Sequence, residues 1–66
     1  MKEIYDELDS VQNLMEELKM MQDFTLDIRN LTKKEECDNI LKELVHIEGE
    51  FLEIEKELND MLKEEL

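Results

Sequence analysis

The sequence contains no proline, one glycine and one cysteine among its 66 residues. Without clusters of proline or glycine there is no flexible linker, no polyproline tract and no glycine-rich loop to cradle a phosphate. A single cysteine excludes a disulfide framework within the chain and any cysteine cluster. No Ser, His and Asp constellation stands out either, so enzymatic activity is not expected and no cofactor is implied. Cations are also scarce: 8 Lys and Arg stand against 20 Asp and Glu, for a formal net charge of −12. A chain of pI near 4.3 repels phosphate, which excludes direct nucleic-acid binding and disfavours anionic membrane surfaces. No stretch approaches the roughly 20 apolar residues that span a bilayer. The opening Met1-Lys2-Glu3-Ile4-Tyr5-Asp6 shows neither an apolar signal region nor an Arg-rich transit pattern. The expectation is a soluble, cytoplasmic protein in a reducing compartment.

What is present is helix. The hydrophobic fraction, 41%, is enough for a fold, while 42% charged residues resist compaction. A chain this short, taken as one domain over 1–66, buries only about 60% of its extended-chain surface, so a core of its own is marginal. Association with copies of itself or with another protein is expected from size alone.

The strongest pattern runs from Cys37 to Met61. Cys37, Ile40, Leu44, Ile47, Phe51, Ile54, Leu58 and Met61 alternate three and four apart, the heptad seam of a long helix. The first helix begins in the same way, with Ile4, Leu8, Val11, Met15 and Leu18. Gln22 and Thr25 then take the next core slots, and the apolar stripe moves to Met20, Met21, Phe24, Ile28 and Leu31, widened by Leu14 and Leu26. Such a broad face suits packing against more than one neighbour, as in a bundle.

Between the two stripes, Thr32 and Glu35 have the spacing of a capping box. Asn30 suits the left-handed residue that ends a helix, and Arg29 suits a last turn. A short connection makes the helices antiparallel neighbours. The fold class is therefore all-α: an antiparallel hairpin with helices over about 2–29 and 33–65, forming a coiled-coil-like bundle by self-association or with a partner. One unbroken helix of about 95 Å is the alternative, since no Gly or Pro forces the turn.

Charges flank the second seam unevenly. Glu36, Glu43, Glu50, Glu57 and Glu64 form an acidic edge on one side, with Leu41, Glu48, Glu55 and Leu62 on the other. Lys42, Lys56 and Lys63 fall on the opposite face. Pairing this helix with itself sets glutamate against glutamate, so simple self-pairing is disfavoured. The edge is either a solvated border tolerated by screening or a surface awaiting a basic partner.

Three smaller features have a plain reading. Glu43 and His46 form a Glu-x-x-His, the element of carboxylate-bridged metal bundles, but His46 lies far around the helix from the seam, and no metal is expected. Cys37 reads as a small apolar core residue, its thiol surrounded by Glu35, Glu36 and Asp38. Five methionines read as gap-filling core residues, or as a surface accepting varied partners.

Two functions from different classes follow. The first is a non-enzymatic interaction or assembly module, burying its seam in a bundle as a dimer or tetramer of itself or with another helical protein, basic where it meets the acidic edge. Its contact residues are expected to be Leu18, Met21, Phe24, Ile28, Ile40, Leu44, Ile47, Phe51, Ile54, Leu58 and Met61. The second is an acidic inhibitor that mimics nucleic acid and blocks a basic site. A segment unfolded until its partner arrives is a third possibility.

Overall fold

The computed structural model of the chain describes residues 2–65. Helix α1 (Lys2–Thr32) and helix α2 (Glu36–Glu65) lie against each other as an antiparallel hairpin, a rod with Cα extents of 51 × 15 × 10 Å. The chain turns back on itself, and the single continuous helix is set aside. Each helix is about 45 Å long, so the two cover each other end to end. Acidic residues occupy the first turns (Glu3; Glu36 and Asp38) and basic ones the last (Arg29; Lys63), complementing both helix dipoles.

The connection sits three residues later than the sequence pattern suggests. α1 continues through Asn30 to Thr32, and Lys33 takes the left-handed conformation, with φ of 59°. The Lys33 backbone N–H donates to the Arg29 carbonyl at 2.8 Å, which closes α1. Thr32 serves α1 as well: its hydroxyl donates to the Ile28 carbonyl at 2.8 Å. The capping-box reading of Thr32 is thereby corrected: Thr32 is the last residue of α1, and its hydroxyl oxygen accepts from the Lys34 N–H at 3.4 Å rather than from Glu35. α2 opens with the Asp38 N–H donating to the Glu35 carbonyl at 2.9 Å. Arg29 and Asp38 form an ion pair across the turn, both side chains about half exposed. Such a pair contributes at most about 1 kcal/mol.

Ile4, Leu8 and Leu62 form the buried cluster at the open end, with Leu58 packed on it. That cluster sets the register. Continuing it toward the turn brings Val11 level with Glu55, Met15 with Phe51, Leu18 with Glu48, Gln22 with Leu44 and Thr25 with Leu41. Burial follows the same rows. On α1, Ile4, Leu8, Val11 and Leu18 are buried, while Met15, Gln22 and Thr25 are half-buried. On α2, Cys37 and Leu62 are buried, and Leu41, Leu44, Glu48, Phe51, Glu55 and Leu58 are half-buried.

The core of α2 is thus rotated by one row from the heptad seam of its sequence. Cys37, Leu44, Phe51 and Leu58 belong to both. The other half of the hairpin seam consists of Leu41, Glu48, Glu55 and Leu62, whereas Ile40, Ile47, Ile54 and Met61 are exposed. Full burial of one such apolar side chain contributes roughly 1.5–3 kcal/mol. A hairpin maximising only its own burial would turn the isoleucines inward and the two glutamates outward. The core also thins toward the turn: the Gln22 side-chain nitrogen is buried without a hydrogen-bond partner, and the Thr25 hydroxyl donates to the Met21 carbonyl of its own helix at 2.7 Å.

Candidate partner-binding face

An antiparallel helix pair has an approximate two-fold axis normal to the plane containing both helices. Equivalent flanking rows of the two helices therefore lie on the same face of the hairpin. The row that precedes the core on α1 is Glu7, Leu14, Met21 and Ile28, and its equivalent on α2 is Ile40, Ile47, Ile54 and Met61. The register set by the core brings Leu14 level with Ile54, Met21 with Ile47, and Ile28 with Ile40. Two parallel lines of apolar side chains result, separated by the groove above the core. All seven are exposed, from 38% at Ile47 to 52% at Ile28.

Outside these inner rows lie two borders. On α2 the border is the glutamate row Glu36, Glu43, Glu50, Glu57 and Glu64, every member exposed. On α1 it is Glu3, Ser10, Glu17, Phe24 and Leu31. Near the open end this second border is acidic, and near the turn it becomes apolar, with Leu31 85% exposed. The apolar surface is consequently widest around Met21, Phe24, Ile28 and Ile40, where the hairpin core beneath is poorest.

The opposite face differs. Tyr5, Leu26, Val45 and Leu52 are exposed there, but Gln12, Lys19, Asp38 and Asn59 alternate with them and break the stripe. His46 projects from the outer side of α2, with its Nε2 2.9 Å from Glu50 Oε1. Beside it, Gly49 leaves a shallow depression lined by Val45 and Glu53. Among the described residues, no group of three or more His, Cys, Asp and Glu is arranged to hold a metal ion.

The eleven residues expected to bind a partner therefore divide. Leu18, only 5% exposed, is enclosed by the hairpin, and Leu44, Phe51 and Leu58 are half-enclosed beside it. Met21, Phe24, Ile28, Ile40, Ile47, Ile54 and Met61 remain outside, gathered on one face. Leu14 completes that face. Its spacing of seven from Met21, and of fourteen from Ile28, is the signal in the sequence that points to it. No helix of the described residues is long and apolar enough to cross a membrane. No protein-family model, curated protein or solved structure matches the chain.

Proposed function

We propose that the chain is a non-enzymatic interaction module, whose exposed two-row face docks a further helix and so completes a helical bundle. One observation carries this reading. The hairpin keeps Glu48 and Glu55 in its own seam and leaves Ile40, Ile47, Ile54 and Met61 outside, the arrangement in which a second apolar surface stays available. Two parallel apolar rows with a groove between them suit the ridge of an incoming helix at a bundle-like crossing angle. The contact residues are then the outward ones, from Met21, Phe24 and Ile28 on α1 and from Ile40 to Met61 on α2. Leu18, Leu44, Phe51 and Leu58 contribute indirectly, by holding the two helices together.

The test is a pair of variants followed by circular dichroism and by light scattering on a sizing column. Ile47→Gln/Ile54→Gln should retain wild-type helix content while losing any dimer or tetramer. If the wild-type chain is a monomer, the same variant should lose the stabilisation produced by a complementary amphipathic helix. A chain that neither associates nor gains stability from such a helix refutes the module.

The glutamate row supports a second reading, an acidic mimic that occupies a basic nucleic-acid-binding site. Its charge is sparse for that role: −12 over 51 Å is about one charge per 4 Å, against one per roughly 1.7 Å for duplex DNA. A mimic's grip on its target weakens as salt rises, and apolar docking does not. At high salt a mimic loses its target, whereas a helix docked on the apolar rows keeps the part of its affinity that those rows supply.

A further inference from the structure

The distribution of charge around the docking face identifies what should cover it. The two inner rows and their two borders comprise eighteen positions, all of them exposed. They carry eight carboxylates, at Glu3, Glu7, Glu17, Glu36, Glu43, Glu50, Glu57 and Glu64, and no lysine or arginine. All 8 cations of the chain lie elsewhere: at the start of α1 (Lys2), in its flank and last turn (Lys19, Arg29), in the turn (Lys33, Lys34) and on the far side of α2 (Lys42, Lys56, Lys63). A solvated helix surface commonly mixes both signs. This face separates them completely.

A second copy is a poor occupant for such a surface. Stacking two hairpins through these faces brings twice eight carboxylates together and supplies no cation to offset them. With α2 over α2 of the second copy, the two glutamate rows meet each other. With α2 over α1, the half nearest the open end still sets Glu50 and Glu64 beside Glu17 and Glu3. Like charges placed across an interface are what natural bundles use to reject a partner.

Resting on the interaction module proposed above, we propose that the occupant is a single amphipathic helix from a basic partner. Its apolar stripe lies in the groove between α1 and α2, and its flank over α2 carries lysine or arginine at about seven-residue intervals, opposite Glu43, Glu50 and Glu57. The covered stretch, from Leu14 to Ile28 on one side and from Ile40 to Ile54 on the other, is about 21 Å long and corresponds to a helix of roughly 15–18 residues. The partner's other flank is cationic only toward the open end. Toward the turn it meets Phe24 and Leu31, and is apolar there. Docking of this kind belongs to the helix-in-groove mode of recognition, read as anchors at three- and four-residue spacing.

Three synthetic helical peptides of about 18 residues test this. One pairs a Leu/Ile stripe with Lys/Arg flanks, one pairs the same stripe with Gln flanks, and one scrambles the first to destroy its stripe. The Lys/Arg peptide should bind the full chain at least about tenfold more tightly than the Gln peptide at low salt. That advantage should collapse at high salt, where screening shortens to a few ångströms. Glu43→Gln/Glu50→Gln/Glu57→Gln should remove the preference and leave the Gln peptide's affinity unchanged. Ile47→Gln/Ile54→Gln should remove both amphipathic peptides. Equal affinity for the Lys/Arg and Gln peptides overturns the basic partner while the module stands. Equal affinity for the Lys/Arg peptide and its scrambled form also overturns it, in favour of the acidic mimic. A wild-type dimer that Ile47→Gln/Ile54→Gln dissociates overturns it in favour of a second copy. Failure of every peptide to bind a monomeric chain removes the module as well.

Discussion

Ile54 and Glu55 are neighbours in the chain with exchanged environments: Ile54 is 43% exposed, whereas Glu55 is half-buried in the seam between the helices. The same exchange occurs one heptad earlier at Ile47 and Glu48. Both follow from the one-row rotation of α2 about its axis. In that orientation the hairpin holds together through Leu41, Leu44, Phe51, Leu58 and Leu62, and the isoleucines face outward.

Glu48→Leu and Glu55→Leu should therefore stabilise the hairpin. Each places an apolar side chain in a half-buried slot, level with Leu18 and Val11 respectively. The gain should be about 1 kcal/mol per site, read as a rise of several degrees in the thermal midpoint by circular dichroism. An unchanged or lower midpoint would indicate that the isoleucine row, and not this one, packs against α1.

Phe51→Asp should abolish the fold, because it puts a charge into the middle of the seam that holds the two helices together. Ile47→Gln/Ile54→Gln should change stability by no more than about 1 kcal/mol, as exposed helix positions do. Urea unfolding of the two variants side by side separates the hairpin's core from its docking face. Equal destabilisation would contradict that separation.

Gly49→Ala should raise stability by about 0.5–1 kcal/mol, since glycine is the poorest residue after proline for a helix interior. A methyl group there meets nothing within 4 Å, so no packing term opposes the gain. The measurement is again the thermal midpoint.

Lys33→Gly should also stabilise, by roughly 0.5–1 kcal/mol, because Lys33 holds the left-handed conformation that glycine adopts without steric cost. Lys33→Val should destabilise, its branched side chain being hindered at that φ. Were the two variants equal in stability, the turn would lie elsewhere, nearer Asn30.

Salt should raise the stability of the isolated chain. With a net charge of −12, the hairpin repels itself, and the screening length falls from about 30 Å at 0.01 M to about 3 Å at 1 M ionic strength. The thermal midpoint should climb across that range. A falling midpoint would mean that ion pairs such as Arg29–Asp38 outweigh the repulsion.

Much of this architecture was legible in one dimension. Lack of proline, a lone glycine and two stripes alternating three and four apart determine two long helices. Polar residues between the stripes place the reversal to within three residues, because side-chain periodicity is a local property of the backbone. The end of α1 was harder to place: Asn30 suits a left-handed φ better than Lys33, which adopts it at a steric cost, and Thr32 bonds backward as well as forward. The acidic edge was also visible, since the spacing of seven from Glu36 to Glu64 puts those residues on one line of any helix.

Only the tertiary structure decided which side of α2 faces α1. A seven-residue period fixes Cys37, Leu44, Phe51 and Leu58 as a line, but two further lines flank it, one with Ile40, Ile47, Ile54 and Met61 and one with Leu41, Glu48, Glu55 and Leu62. Hydrophobicity alone selects the first. The folded hairpin uses the second, set by the register of Ile4, Leu8, Leu58 and Leu62 at the open end. Rotation of a helix about its own axis depends on the surface it meets, and that surface is contributed by residues from 16 (Thr25 and Leu41) to 58 (Ile4 and Leu62) positions away in the chain.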